Sequence, residues 1–592
     1  MKQSHLIALG TVGALLAVVV TVLTFGFLVE NEYRPPFHSD ETQSVPRDRA
    51  LAEIAADAVA DDEEAGARYG RLGDGRSRAA KFVVAQLPLL ILSFLLAVPI
   101  LALVMEAVGF LSGDKGYDTV GRDLTRLLSI AFSATIVVGA ILALMVTVMD
   151  PNSVILSPGV RPFAMLFVLA SGFLYVYHWS WGKLPTPVHV VMGLAVSLVG
   201  MGVMFAANAR ALILTSPARV ADTGLPIRVW DAVTDLAWMP INVHRLLANL
   251  AFAGSVVAAF AAFRWLQSRS DDDRAHYDRM GYVGTIFAVT AFLGLCVANT
   301  WLAAGQARAV QALGVTMMGG AFRWLSIVQA ALIGLILLGA NLYLWKGMGR
   351  VAGERGGFGA GKVLATLAAI GFAVWATPRS ILSATPEVPG TSAYPMLGHH
   401  NLWSAANIAV NVLIVVTLIS FLLYLRSGKT PVSSRVGIAN ALQTLILGAA
   451  ALFVLGVGLR GHFVEATART NDSVYMVIAV LGALVLSTLV NLLIPQGSML
   501  KRSPRWGEMP AASQYLLILL GVGFTWLMSL IGYVQSALRP HWDIYGIARE
   551  VYFLPTLRFA AGAAALTALA FFVVIGFVFW LASLGSGRAS EA

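Results

Sequence analysis

Long apolar runs separated by short polar connections extend along nearly the whole chain. Most runs reach about 20 residues, enough for a helix to cross a hydrocarbon core about 30 Å thick. They are continuously apolar instead of alternating in polarity, which predicts helices and not the strands of a membrane barrel. We predict an all-α, polytopic transmembrane helix bundle of about fourteen helices, with approximate limits His5–Val29, Phe82–Gly109, Leu127–Met149, Pro162–Trp181, Val188–Thr215, Ile241–Leu266, Tyr282–Ala304, Phe322–Trp345, Val363–Ala376, Leu402–Leu425, Val436–Leu459, Ser473–Ile494, Gln514–Gln535 and Phe559–Leu584.

The composition supports membrane insertion and excludes several classes of protein. Of 592 residues, 58% are hydrophobic and 12% charged, and the mean hydropathy is +0.75. Soluble domains carry about 25% charged residues, so a large soluble enzyme is excluded. The formal net charge of +9 is explained by cytoplasmic loops, and we expect no nucleic-acid partner. The single cysteine, Cys296, excludes a disulfide framework, a cysteine-based zinc site, an iron-sulfur cluster and covalent c-type haem.

The distribution of Lys and Arg predicts the orientation of the helices. Basic residues concentrate in the loops that follow even-numbered helices, and short basic loops stay in the cytoplasm. We therefore expect a multi-pass protein of the bacterial inner (cytoplasmic) membrane with both termini cytoplasmic. Arg219, Arg228 and Arg308 fall in loops that this topology places outside, and they argue against it.

Ionisable side chains at membrane depth are costly, so each is a candidate for function. Glu106, near the cytoplasmic end of the second helix, either belongs to a proton or polar route or is an interfacial carboxylate paired with Lys115 or Arg126. His189 opens the fifth helix and either joins the same route or caps the helix at the interface.

Other histidines lie at the predicted outer ends of helices. His244 follows Pro240, and Asn249 lies about one turn further on nearly the same face. A histidine in this position either ligates haem or metal, or is satisfied by backbone groups. His399 and His400 precede the tenth helix. Because adjacent histidines cannot ligate one haem from opposite faces, at most one of them is an axial ligand.

Several motifs occur in the order found in subunit I of cytochrome bd quinol oxidases. The stretch Leu103–Arg126, beginning Leu-Val-Met-Glu-Ala-Val-Gly-Phe-Leu-Ser-Gly-Asp-Lys-Gly-Tyr, resembles the first helix and loop of that family. Pro187-Val-His189 is similar to its fourth helix, and Met239-Pro240 leading to His244-Arg245 to the start of its fifth. The segment Gly532–Gly546, which contains Arg539 and Trp542, resembles a drifted Gly-Arg-Gln-Pro-Trp motif. The resemblance implies a cytochrome bd subunit I-like core and a divergent, bd-like branch.

The resemblance also shows which family ligands are replaced. The family's first haem histidine aligns with Pro88 and the second with Ala248, while His244 lies one turn earlier. The family's methionine ligand aligns with Met476, and its pair of carboxylates with Leu166 and Leu174. The resemblance therefore implies one b-type haem or none, held by His244 with Met476 or His399. By the same resemblance, Arg539 pairs with a propionate beside Trp542; the alternative for Arg539 is a membrane-flanking anchor.

These patterns divide the chain into five parts and support two functions. We expect a transmembrane anchor (1–30), an outside polar segment (31–80), bd-like helices (81–305), additional helices (306–472) and further bd-like helices (473–592). The expected function is a membrane subunit of a respiratory electron-transfer complex that exchanges electrons with an outside cytochrome c or quinol partner. The alternative is a haem-free anchor or quinone-binding scaffold of a redox complex. The expected partners are a second membrane subunit, an outside c-type cytochrome and lipid. A transporter is disfavoured because no inverted pair of broken helices is visible.

Overall fold

The computed structural model describes residues 74–149, 172–213, 238–309, 323–352, 402–426, 429–431, 434–460, 498–500, 505–537 and 557–584, with short runs between 472 and 490. Over these residues the fold is a bundle of long helices: α1 (Asp74–Ser112), α2 (Lys115–Met149), α3 (Thr186–Ile213), α4 (Trp238–Gln267), α5 (Asp271–Ala309), α6 (Arg323–Ala352), α7 (Leu402–Arg426), α8 (Ser434–Arg460), α9 (Ala511–Ala537) and α10 (Leu557–Leu584). Residues 172–179 are also helical.

Each of these helices lies where an apolar run predicts one, so the all-α bundle is confirmed over this part of the chain. The predicted helices His5–Val29 and Val363–Ala376 lie outside the described residues. Two short strands were not predicted: β1 (Lys429–Pro431) pairs antiparallel with β2 (Ser498–Leu500), with Lys429 opposite Leu500.

The helices are long enough to cross a bilayer. Seven of them contain an apolar stretch of sufficient length, from Leu89–Phe110 in α1 to Ala564–Ser583 in α10. Both α1 and α5 have 39 residues, or about 58 Å at 1.5 Å per residue, so they extend beyond the hydrocarbon core. Helix α1 was predicted to start at Phe82, but it starts earlier, at Asp74. The chain is a multi-pass membrane protein.

Helix α4 is the centre of the described bundle. It packs against α1, α3, α5 and α9, while α10 covers α1, α2 and α9. Most of α4 is buried along its whole length, and it is rich in alanine and other small residues. Small residues let helix backbones approach closely, which drives association in a medium where apolar burial contributes little.

The closest approach in this core is the crossing of α4 and α5 at two glycines. A Cβ added to Gly254 would lie 2.7 Å from the carbonyl oxygen of Gly284, and a Cβ added to Gly284 would lie 2.7 Å from that of Gly254. Backbone atoms cannot move aside as a flexible side chain can. The two helices can therefore pack at this distance only with glycine on both sides.

One end of the bundle carries a network of charged and aromatic residues, which we call the basic face and define by Lys115, Lys183, Arg279 and Arg505. Arg279 of α5 contacts Asp114 at 3.3 Å and lies between the rings of Tyr117 and Trp506. Burial raises the pKa of Tyr117 to about 12, so the phenol stays neutral at physiological pH.

Two further contacts at the basic face join elements that are distant in sequence. The backbone N–H of Gly507 donates to Asp278 at 2.9 Å, and His276 contacts Asp123 at 2.8 Å. Gly507 has a φ of 89°, a conformation that favours glycine. The segment before α9 is thereby held against α5, and α5 against α2.

We predict that Gly254→Ala destabilises the protein by about 1–3 kcal/mol, because the added methyl group forces α4 and α5 apart. Gly448→Ala in α8 is the matched control, since a Cβ there meets no atom within 4 Å. Thermal unfolding in detergent, followed by circular dichroism, measures both. Equal unfolding temperatures for the two variants would contradict the close crossing.

Candidate functional site

A carboxylate and an imidazole meet inside the membrane-spanning part of the bundle. Glu106 lies near the end of the apolar stretch of α1, and His189 lies in the first turn of α3. Each residue is only 2% exposed. Oε1 of Glu106 and Nδ1 of His189 are 2.5 Å apart. The contact joins two helices that are 83 residues apart in sequence.

The hydrogen-bond partners determine where protons lie in this pair. Nε2 of His189 is 2.9 Å from the backbone carbonyl of Tyr177, which can only accept, so Nε2 carries a hydrogen and donates it. Two lone pairs would repel at the Oε1–Nδ1 distance, so a further hydrogen lies between Glu106 and His189. With that hydrogen, the pair has no net charge whichever residue holds it.

The rings of Tyr177 and Trp181 pack against the pair. The Tyr177 hydroxyl donates to Oε2 of Glu106 at 3.0 Å, and its ring stacks on His189 with centroids 4.5 Å apart. Trp181 meets His189 edge-on at 4.6 Å. Tyr177 has no exposed surface. The carboxylate thus has a partner on both oxygens and little contact with water.

Glycines make room for these two aromatic rings. A Cβ on Gly193 of α3 would lie 2.9 Å from the Tyr177 ring, and one on Gly121 of α2 would lie 3.0 Å from Trp181. The turn at 180–183 contains Gly182 with φ 74°. Because of that turn the preceding helix ends at residue 179, two residues before the predicted Trp181.

The structure thus brings together Glu106 and His189, the two residues predicted for a polar route. The partners of Glu106 are His189 and Tyr177. The alternative prediction, an interfacial pair with Lys115 or Arg126, is therefore wrong. The role of Tyr177 was missed, because the segment Tyr175–Trp181 has the pattern of an interfacial aromatic belt. In the structure Tyr175 is exposed and Tyr177 is buried. This difference depends on tertiary packing, so the sequence pattern does not distinguish the two tyrosines.

A second polar cluster lies at the start of α4. Arg245 donates to Oδ1 of Asn208 at 2.6 Å, and Nδ2 of Asn208 donates to Asn242 at 2.7 Å. Asn242 donates in turn to the backbone carbonyl of Trp238 at 2.8 Å. This chain of donors and acceptors ties α3 to α4.

His244 precedes Arg245 on the same helix and is 6% exposed. Its Nδ1 is buried without a hydrogen-bond partner among the described residues. A buried polar atom left unpaired costs about 1–3 kcal/mol, so it needs an explanation. Asn249, predicted on the same face, donates to the sulfur of Met204 at 3.4 Å.

The remaining predicted ligands are less well placed. Met476 is partly buried against the apolar core. The polar contacts of its segment run to α8, where Gln443 donates to Ser487 at 2.9 Å and Arg460 contacts Asp472 at 3.2 Å. His399, His400, Arg539 and Trp542 lie outside the described residues. Within the part of the chain that is described, no three metal-binding side chains of His, Cys, Asp or Glu cluster together.

Residues 77–336, just under half of the chain, match the family model of cytochrome bd terminal oxidase subunit I. Over this region the chain is cytochrome bd subunit I-like. No curated protein matches it. A solved structure of a bd oxidase from Geobacillus thermodenitrificans is similar at 13% identity over 87% of this chain and 100% of that one, with a TM-score of 0.39.

The bd-like region contains both the Glu106–His189 pair and His244. Two positions that the sequence resemblance predicts to replace family ligands or carboxylates have apolar surroundings: Ala248 and Leu174 are each 5% exposed in the apolar core. Leu166 lies outside the described residues.

We predict that Tyr177→Phe lowers the free energy of unfolding by about 1–3 kcal/mol, because it removes a hydrogen bond to a buried carboxyl group and keeps the ring. Tyr175→Phe is the matched control, since it also removes a tyrosine hydroxyl, but one that contacts Ser133 at 2.7 Å on the exposed surface; its expected effect is about 0.5 kcal/mol or less. Chemical denaturation in detergent measures the difference. A Tyr177→Phe variant as stable as Tyr175→Phe would refute the contact with Glu106.

Proposed function

We propose that this chain is the bd-like membrane subunit of a respiratory oxidoreductase that holds one b-type haem or none. It exchanges electrons with a donor on the outer side, a c-type cytochrome or quinol, and with a second membrane subunit. The match of residues 77–336 to cytochrome bd subunit I carries this proposal. The family works with haems and a second membrane subunit, and the positive-inside pattern supports cytoplasmic termini.

The residues near the start of α4 are compatible with haem. His244 offers a buried imidazole whose Nδ1 has no partner among the described residues, so it is available to ligate a metal or to donate to a bound group. On the same turns of α4, Asn242 and Arg245 are hydrogen-bonded to Asn208 of α3. The proposed haem ligands are His244 and, from the family alignment, Met476 or His399.

Each residue would have a defined task in that arrangement. A b-type haem supplies one-electron transfer when bound. His244 would hold the group from α4, and the hydrogen bond from Arg245 to Asn208 would keep this end of α4 against α3. Arg539, beside Trp542, would pair with a propionate, since a guanidinium matches a carboxylate with two parallel hydrogen bonds.

A complete oxygen-reducing site is not expected in this chain alone. Pro88 has no lone pair for iron, and Leu174 cannot relay a proton. The Glu106–His189 pair is the polar route in this proposal. The second membrane subunit would then supply whatever further ligands the reaction needs.

The replaced positions favour a second candidate function. With Pro88, Ala248 and Leu174 where family members carry ligands or carboxylates, the chain would serve as a haem-free anchor or quinone-binding scaffold of a redox complex. In that case the stability of the complex, and not electron transfer through this chain, would depend on its helices.

We predict that the purified chain shows the α-band of a b-type haem in a reduced-minus-oxidised optical spectrum, and that His244→Ala abolishes or shifts this band. The reason is that a six-coordinate haem loses its characteristic spectrum when an axial ligand is removed. His178→Ala is the control, because His178 contacts Thr125 at 3.2 Å near the basic face and not the start of α4.

Two results would decide between the proposals. An α-band that His244→Ala leaves unchanged would remove His244 as ligand. A wild-type protein without any band, purified with its partner subunit and with haem supplied during expression, would favour the scaffold.

A further inference from the structure

We propose that Glu106 and His189 form a proton-holding site that exchanges one proton with the solution at the basic face through Asp118, with Tyr177 as its positioning residue. This deepens the polar route of the proposed function. The exchange itself requires neither haem nor an electron donor.

The loaded state follows from the geometry of the pair. Nε2 of His189 donates to the carbonyl of Tyr177, so the hydrogen between Nδ1 and Oε1 is an additional one. The loaded pair is neutral, which suits a site where each residue is 2% exposed. A neutral pair avoids most of the cost of a net charge in the membrane.

Loss of that proton leaves a Glu106 carboxylate facing the lone pair of a neutral imidazole. The two atoms cannot remain 2.5 Å apart in this state, so the pair must separate. The remaining negative charge stays on Glu106, where the Tyr177 hydroxyl donates to Oε2. The proton leaves for the solution, and reloading reverses the step without any other reactant.

Tyr177 determines which atoms take part in the exchange. Its carbonyl fixes the hydrogen on Nε2, and Ser180 also donates to that carbonyl at 3.1 Å. Its hydroxyl occupies Oε2 of Glu106 and leaves Oε1 for His189. The ring stacks on the imidazole and limits its rotation.

In this proposal Asp118 is the carboxylate that links the pair to the basic face. It lies in the first turn of α2, and its backbone N lies 2.9 Å from the position of a Cβ on Gly109, about one turn beyond Glu106 on α1. His178, in contrast, contacts Thr125 near Arg122 and Arg126. Asp118 is therefore an acidic residue of α2 whose backbone lies against α1 within about one turn of Glu106.

Infrared difference spectroscopy of the full chain in lipid nanodiscs, perfused alternately at two pH values without an electron donor, tests the proposal. We expect a carboxyl band that responds to pH and is lost in Glu106→Gln and in His189→Gln. In Tyr177→Phe the band should shift in frequency, because one hydrogen bond to the carboxyl group is gone. Tyr175→Phe, the control, should leave the band in place.

The path to the solution has its own test. After a step in pH, Asp118→Asn should slow the response of the Glu106 band by about tenfold or more, because a positioned carboxylate no longer relays the proton. Asp271→Asn is the control, since Asp271 is a fully exposed carboxylate at the same face. Equal rates in both variants would overturn the assignment of Asp118.

Two outcomes would overturn the site itself. One is a pH-difference spectrum of folded Glu106→Gln identical to that of the wild type, which would make the pair a static link between α1 and α3. The other, which does not depend on the folding of Glu106→Gln, comes from nitrogen-15 spectra of histidine-labelled wild-type protein. A His189 signal that shows no hydrogen on Nε2, or no response to pH, would exclude the exchange. Neither outcome would bear on haem binding.

Discussion

The cost of placing ionisable groups in the membrane governs the arrangement of the bd-like region. Glu106 and His189 can be buried because each compensates the other, and the hydrogen between them keeps the pair neutral. Tyr177 then satisfies the second carboxyl oxygen and, through its carbonyl, the second imidazole nitrogen. The packing of α1, α3 and residues 172–179 follows from this small set of contacts.

The same constraint shapes the rest of the bundle in a different way. Helices in lipid gain little from apolar burial, so close backbone contact and interhelical hydrogen bonds hold them together. Gly254 and Gly284 provide a close backbone contact between α4 and α5. An interhelical hydrogen bond joins α6 and α7, where Asn341 donates to Thr417 at 2.9 Å. Outside the apolar stretches, ion pairs such as Arg279–Asp114 join the helix ends.

His244 is one of several buried residues with a side-chain atom, here Nδ1, that has no hydrogen-bond partner among the described residues. The polar groups around it are bonded to one another, as in Asn208 with Asn242 and Arg245. In the function proposed above, a bound haem would give this imidazole its partner. The Glu106–His189 pair is complete by itself, which suits an exchange of protons without a cofactor.

The amino-acid sequence alone determined the apolar parts of the described helices, because continuous apolar runs of bilayer length have few alternatives. It placed the starts of α1, α2 and α5 too late, since their first turns are polar and carry no apolar signal. It also identified Glu106, His189 and His244, because ionisable residues stand out in apolar runs. It could not pair Glu106 with His189, since 83 residues separate them and Lys115 is much nearer in the chain. Nor could it separate Tyr177 from Tyr175, or predict the strands β1 and β2. Those features depend on which helices meet, and only the tertiary structure decides that, through close contacts such as Gly193 against Tyr177.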